Sequence, residues 1–153
     1  MEIPGAVVDY YDTVTRTMGG AANTQEFFRL FIVPGMKHCS GGDGAFAIDY
    51  LSYMEDWVER HHAPDRIVGA HVDDVYLLSH NVETEGSDKE HIWLTALKLP
   101  FPLDSAAPIT FKRPVFPYPL VARYKGHGDS NNADNFEAVA GSPPYDALPD
   151  GIR

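Results

Sequence analysis

The feature that most constrains the fold is an apolar run that ends abruptly at a proline–glycine pair. Residues 27–33 are apolar except for Arg29. A continuous apolar run of this length is typical of a strand that is buried on both faces. Pro34 and Gly35 follow at once and favour a turn. The sequence therefore predicts a buried strand that ends in a sharp turn.

The turn is followed by two chemically reactive side chains, an imidazole and a thiol. His38 is followed by Cys39, which is the only cysteine of the protein. A single cysteine cannot form a disulfide within the chain. The glycine pair Gly41-Gly42 comes next, and a helical pattern begins soon after it. A histidine in a loop between a strand and a helix is a candidate general base.

Composition limits the class of protein. The chain of 153 residues is 44% hydrophobic, which suits one globular domain over residues 1–153. Its formal net charge of −10 argues against a nucleic-acid partner. No apolar stretch approaches the roughly 20 residues that span a bilayer, so we expect no membrane partner. The first residues lack the pattern of a signal peptide.

Periodicity predicts two main helices. The first covers residues 6–18 and the second residues 43–61, with Asp43 as its N-cap. The apolar stripes expected to be buried are Val7, Tyr10, Tyr11, Val14 and Met18 in the first helix, and Ala47, Tyr50, Leu51, Met54, Trp57 and Val58 in the second. Residues 66–72 read as a short strand. Strand, helix and strand in this order predict a βαβ unit of a mostly parallel sheet, hence an α/β fold.

The second half of the chain gives a weaker pattern. Residues 91–99 fit either a strand or a short helix. Six prolines between residues 100 and 119 limit both helix and ladder formation. We therefore expect a proline-rich extended wrap over the surface there. The tail, residues 142–153, is expected to be loosely ordered.

Four ordered stretches are specific enough to indicate a family. They are Val8-Asp9-Tyr10-Tyr11; residues 27–42, which include Val33-Pro34-Gly35-Met36-Lys37-His38-Cys39-Ser40-Gly41-Gly42; Glu55-Asp56-Trp57-Val58-Glu59 with Ala63-Pro64-Asp65-Arg66-Ile67; and Arg113-Pro114-Val115-Phe116-Pro117-Tyr118-Pro119 with Ala122-Arg123-Tyr124-Lys125-Gly126, Asp129 and Asn135-Phe136. Together they closely resemble the C-terminal portion of the tannase and feruloyl esterase family. The resemblance divides the chain into a core with the histidine loop (1–72), an unmatched segment (73–112), a closing segment (113–141) and the tail.

The resemblance implies the C-terminal part of an α/β hydrolase with a Ser–His–Asp triad. His38 would be the catalytic histidine, and no cofactor or metal is implied. Cys39 would form a disulfide with a cysteine beside the nucleophile, which this chain does not contain. Family members also carry a second cysteine pair, which here is replaced at Phe116 and near Glu137. Relatives are exported, although the start of this chain shows no signal.

The rest of the triad is absent from these residues. A Gly-x-Ser-x-Gly nucleophile elbow occurs nowhere. In the family the triad acid precedes the Ile-Pro-Gly that begins here at Ile3, so we expect it upstream. The lid that selects the substrate is expected there as well. Ser40 is disfavoured as nucleophile because it does not lie in an elbow. Cys39 is disfavoured as a papain-like nucleophile beside His38, because such partners meet across a fold.

Two polar clusters have simpler interpretations than metal binding. His61 and His62 with Asp65 fit a polar helix C-terminus, where cations suit the helix dipole. Residues 129–134 lack the glycine and the closing glutamate of a calcium loop.

Two hypotheses remain from the sequence. The first is the C-terminal part of an esterase that cleaves aromatic-acid esters and that is inactive without its N-terminal portion. The second is a non-catalytic binding or assembly module derived from the same scaffold. Such a module would have to cover exposed sheet edges, for which a homo-oligomer is one solution.

Overall fold

Helices and antiparallel strands make up the part of the chain that the structure, a computed structural model, describes: residues 4–37, 41–73, 103 and 107–141. The elements in chain order are α1 (Pro4–Thr17), α2 (Ala21–Gln25), α3 (Tyr50–Arg60), β1 (Ile67–Val72), β2 (Ile109–Val115), β3 (Leu120–Tyr124) and β4 (Phe136–Ala140), with a 3-10 turn at Ala133–Asn135. None of the helices in these ranges has the length and apolar character needed to cross a membrane.

The strands form two small antiparallel sheets. β1 pairs with β2 from Ile67 opposite Val115 to Val72 opposite Ile109. β3 pairs with β4 over five residue pairs, and every residue of β3 is exposed. The βαβ order predicted a parallel sheet, but the strands described here pair only antiparallel.

The apolar run at residues 27–33 differs most from its expected form. It forms no regular strand within these ranges: Phe31 makes an isolated bridge with Pro117, and the Tyr118 N–H donates to the Leu30 carbonyl at 2.8 Å. Phe27 and Ile32 are 54% and 40% exposed. The run pairs with the rest of the described structure at one bridge only, and none of its residues is buried. The prediction of a strand buried on both faces is therefore wrong for the described structure.

The core consists of two adjacent clusters on β1. Phe46, Ala47, Ala70 and Val72 form the first, and Ile48, Ile67 and Val115 form the second. Ala47 and Ala70 exchange two backbone hydrogen bonds of 3.0 and 2.9 Å. Ala47 therefore bridges to β1 on the side that does not pair with β2.

The predicted position of helix α1 is confirmed, whereas its predicted buried face is correct for Tyr11 and wrong for Val7, Tyr10 and Met18. Val8 and Tyr11 are almost fully buried, whereas Val7 and Tyr10 are exposed. Tyr11 packs on Phe28, with ring centroids 5.3 Å apart. Tyr11 also meets the Tyr118 ring edge-on at 6.0 Å, so it is covered by the apolar run and by the segment before β3 together.

Helix α3 is shorter than predicted, and its apolar stripe is exposed. It begins at Tyr50, and the capping residue is Asp49, whose carboxylate accepts from the Ser52 N–H at 3.1 Å. Asp43 cannot cap it because the helix begins seven residues later, after Ala47 has formed its bridge with Ala70 of β1. The exposed apolar residues of the helix are Tyr50, Leu51, Met54 and Val58. Their predicted burial is wrong for the residues that are described.

The proline-rich half contains regular strands where an extended wrap was expected. β2 is a sheet strand despite Pro114, which lies opposite Val68 in the ladder. No helix was predicted at Ala21–Gln25, where α2 lies. The strand at residues 66–72 is confirmed by β1. The alternatives at residues 91–99 and the loose tail at 142–153 lie outside the described residues.

Candidate active-site loop

The candidate site is a loop whose two sides are joined at its base by backbone hydrogen bonds. Met36 forms a bridge with Gly42, and the Lys37 N–H donates to the Gly41 carbonyl at 3.0 Å. The Gly44 N–H donates to the Gly35 carbonyl at 3.1 Å. Residues 38–40, which include the predicted site residues His38 and Cys39, lie outside the described ranges. The structure therefore defines the base of this loop, and the sequence places His38 and Cys39 between its two sides.

Glycines make this narrow base possible. Gly35 and Gly42 have φ values of 73° and 89°, in the left-handed region that favours glycine. A Cβ on Gly44 would collide with the Pro34 carbonyl oxygen and would lie 2.9 Å from the Gly35 carbonyl carbon. The sequence thus needs glycine at Gly35 and Gly42 for conformation and at Gly44 for space.

A histidine from β1 also contacts the base of the loop. The Nδ1 atom of His71 lies 3.0 Å from the Gly44 carbonyl oxygen. The His71 ring stacks on Phe111, with centroids 4.9 Å apart and planes at 5°, and it meets Phe46 edge-on. Sequence reasoning placed His71 in a strand and missed this contact, because nothing in the local pattern signals a bond between residues 27 positions apart.

Arg29 connects the start of the apolar run to the turn after α3. The Arg29 side chain is 11% exposed and donates through its guanidinium to the Pro64 carbonyl at 2.8 Å and to Asp65 at 3.0 Å. Its guanidinium also lies over the Trp57 ring. These contacts fix the run that leads to Pro34 against the end of α3.

The polar clusters considered for metals are engaged in other contacts. His62 lies 3.6 Å from Asp56, and Asp65 pairs with Arg29. The hydrogen bond from Arg60 holds the pKa of the Asp56 carboxyl below its usual value. In the second cluster, Asp129 and Asn132 accept backbone N–H groups of their own loop. No group of three His, Cys, Asp or Glu side chains suited to a metal occurs among the residues that the structure covers.

Comparison with solved structures indicates the class of protein. A crystal structure of an esterase from Aspergillus oryzae superposes with a TM-score of 0.59 at 28% identity, covering 85% of this chain and 23% of that one. Feruloyl esterase B from Aspergillus oryzae superposes with a TM-score of 0.63 at 23% identity, covering 88% of this chain and 24% of that one. The fold is thus that of part of an esterase.

Sequence comparison gives the family. The model of the family described as tannase and feruloyl esterase matches residues 2–139. The chain therefore belongs to the tannase and feruloyl esterase family, as the four ordered stretches predicted. Its similar proteins include a mono(2-hydroxyethyl) terephthalate hydrolase from Piscinibacter sakaiensis, 38% identical over 136 residues, and a probable feruloyl esterase from Arthroderma benhamiae, 32% identical over 138 residues.

Length separates this chain from those relatives. The match covers 89% of this chain in both cases, but only 17% of the Piscinibacter protein and 20% of the Arthroderma protein. The chain thus spans about a fifth of the length of these relatives.

Proposed function

We propose that this chain is the C-terminal portion of a serine carboxylic-ester hydrolase that cleaves esters of aromatic acids. The observation that carries the proposal is the glycine-closed loop around residues 38–40, in a chain whose family match runs from residue 2 to 139. The two sequence relatives described above carry names of ester-cleaving enzymes, which supports this substrate class.

In this proposal His38 is the proton-transfer group of a Ser–His–Asp triad. The imidazole takes the proton from the serine hydroxyl as the serine attacks the ester carbonyl. It then gives that proton to the leaving alcohol, and an acyl-enzyme remains. In the second half it activates water, and the carboxylic acid is released. The triad acid holds the imidazole in the correct tautomer.

The two missing triad members would come from the N-terminal portion of the longer protein. Cys39 would form a disulfide with a cysteine next to the nucleophilic serine, which would connect the two portions covalently. Within the 153 residues no nucleophile elbow is present. We therefore expect the chain by itself to be inactive.

Exposed apolar surface supports the idea that further chain packs here. Leu51 and Val58 on α3 are 69% and 66% exposed, in a stripe with helical periodicity. A helix in a folded domain normally buries its apolar stripe. In the longer protein we propose that this stripe is covered, and that residues 27–33 become a strand of a mostly parallel sheet.

The test compares the longer protein with the 153-residue chain in a hydrolysis assay with an alkyl ferulate ester. The longer protein should turn the ester over, and His38→Ala should lower kcat by about 10⁴-fold or more, as expected for loss of a triad histidine. His62→Ala is the matched control, because His62 is exposed and pairs with Asp56 at the end of α3. The 153-residue chain should stay at background.

Two results would contradict the proposal. Full activity of the His38→Ala variant of the longer protein would show that His38 has no part in the mechanism. Turnover by the 153-residue chain that disappears with His38→Ala would show that the chain contains its own nucleophile. For Cys39, a non-reduced peptide map of the longer protein without a Cys39 disulfide would remove the proposed covalent connection.

A further inference from the structure

We propose that His71 is a positioning residue that fixes the base of the loop carrying His38. The inference rests on the proposed function, and it adds a residue outside the triad. Its starting point is the 3.0 Å contact between His71 Nδ1 and the Gly44 carbonyl oxygen. A carbonyl oxygen can only accept, so Nδ1 carries the proton and donates.

Gly44 is the point at which this contact acts on the loop. Its N–H donates to the Gly35 carbonyl on the opposite side of the loop. A Cβ on Gly44 would collide with the Pro34 carbonyl oxygen, so no side chain fits there. The hydrogen bond from His71 holds the carbonyl group of the same residue. The position of Gly44 is thereby fixed from β1, Gly35 and Pro34 together.

The His71 ring is itself held in place. Phe111 on β2 stacks on one face of the ring, and Phe46 meets it edge-on at 5.8 Å. Phe46 is 3% exposed and belongs to the core. A donor whose rotamer is fixed by packing orients its acceptor better than a mobile one. His71 therefore connects the loop to the rigid β1–β2 sheet.

The contact between His71 and Gly44 should affect catalysis through the position of the general base. A general base must lie within hydrogen-bond reach of its nucleophile, and small displacements of a catalytic group cost large factors in rate. Loosening Gly44 should lower kcat, which depends on the position of the base. It should leave KM nearly unchanged, because His71 is not part of a substrate pocket in this inference.

The first experiment measures the contact in the 153-residue chain. Amide hydrogen exchange of Gly44 and Lys37 is followed by NMR in the wild type, His71→Phe and His71→Asn. Phe keeps the ring but removes the donor, whereas the Asn amide nitrogen replaces Nδ1. Exchange at Gly44 should rise about three- to tenfold in His71→Phe, the range expected for one lost hydrogen bond, and should stay near wild type in His71→Asn. Equal exchange in all three proteins would overturn the inference.

The second experiment measures the consequence in the longer protein. His71→Phe should lower kcat by about tenfold with KM within about twofold, and His71→Asn should restore most of kcat. His62→Phe serves as the control histidine and should behave as wild type. Unchanged kcat in His71→Phe, or equal loss in both His71 variants, would overturn the positioning role.

The two experiments separate this inference from the function on which it rests. A longer wild-type protein without esterase activity would contradict the proposed function and with it the catalytic part of the inference. The exchange measurement would still decide whether His71 holds Gly44.

Discussion

The guanidinium carbon of Arg29 lies 5.6 Å from the centre of the Trp57 ring, while the same group donates to the Pro64 carbonyl. One nearly buried cation thus joins the segment before the candidate loop to the helix after it. The charge partner Asp65 is 97% exposed, so the ion pair itself contributes little. We therefore assign most of the stabilisation to the hydrogen bonds that Arg29 donates to the Gln25 and Pro64 carbonyls, at 2.9 and 2.8 Å, and to the ring contact.

Arg29→Met should therefore lower the free energy of unfolding by about 2 kcal/mol, the usual loss for hydrogen bonds from a charged group. Urea unfolding with an unchanged m-value measures the effect. Arg123→Met is the control, because Arg123 and Glu137 form an exposed pair and the expected loss is below about 0.5 kcal/mol. Equal losses in the two variants would contradict the assigned role of Arg29.

Gly44→Ala should be one of the most damaging small substitutions in the chain. The added methyl group would meet backbone atoms of residues 34–36, which cannot rotate away. We expect a loss of about 2–4 kcal/mol, typical of overpacking against fixed backbone. Gly126→Ala is the comparison: its φ of 84° is unfavourable for alanine, but the space around it is open, so about 1 kcal/mol is expected. A Gly44→Ala protein as stable as Gly126→Ala would contradict the tight closure of the loop.

Tyr11→Phe should be nearly neutral although Tyr11 is 3% exposed. Its hydroxyl is buried and has no hydrogen-bond partner within the described part of the chain. Removing an unsatisfied buried hydroxyl should change the free energy of unfolding by less than about 0.5 kcal/mol or raise it. Tyr53→Phe is the control, since that hydroxyl accepts from the Val68 N–H at 3.0 Å, and about 1 kcal/mol should be lost. The prediction is wrong if thermal unfolding shows the larger loss in Tyr11→Phe.

Leu51→Gln distinguishes a covered helix face from an exposed one. In the 153-residue chain Leu51 is 69% exposed, and the substitution should change stability by less than about 0.5 kcal/mol. In the longer protein the same change should cost about 2 kcal/mol, because a buried apolar side chain is then replaced by an amide. Glu55→Gln on the same helix should be neutral in both. A neutral Leu51→Gln in the longer protein would mean that the proposed N-terminal portion does not cover α3.

Arg60→Gln should raise the pKa of Asp56. The Arg60 hydrogen bond keeps that pKa below the value in an unfolded chain. A lowered folded pKa means that the contribution to stability is present above the unfolded pKa of about 4, and is lost as the pH falls through the folded pKa. NMR titration of the Asp56 carboxyl should show the increase in Arg60→Gln and none in Arg16→Gln. An unchanged titration would contradict the assigned cause.

Local sequence patterns correctly predicted the elements whose structure depends mainly on their own residues. Helix α1 and strand β1 follow from periodicity, and their observed bounds differ from the predicted ones by at most two residues. The Pro34-Gly35 pair likewise predicted the turn that the structure shows at these two residues. The family followed from ordered motifs, which the match over residues 2–139 confirmed.

Non-local contacts account for what the sequence did not reveal. Residues 45–48 read as part of a helix, but they are not helical, and two hydrogen bonds with Ala70 hold Ala47 in a bridge to β1. Pro114 suggested a strand-free wrap, yet it occupies a ladder position opposite Val68. The apolar stripe of α3 was correct as a pattern, but no described element covers it. The contact of His71 with Gly44 depends on the same long-range pairing and carries no local signal.

Arg113 lies between two aromatic rings, and this contact bears on which part of the protein unfolds first. Its guanidinium lies 4.5 Å from the Phe111 ring of β2 and 4.7 Å from the Phe136 ring of β4. The two described sheets share no ladder; this stacking joins them together with the hydrogen bond from the Lys112 N–H to the Asn131 carbonyl at 2.8 Å and the exposed pair of Arg66 with Asp134. Because every residue of β3 is exposed whereas β1 is largely buried, we expect the β3–β4 hairpin to open as a separate unit, with amides that exchange at lower denaturant concentration than those of β1.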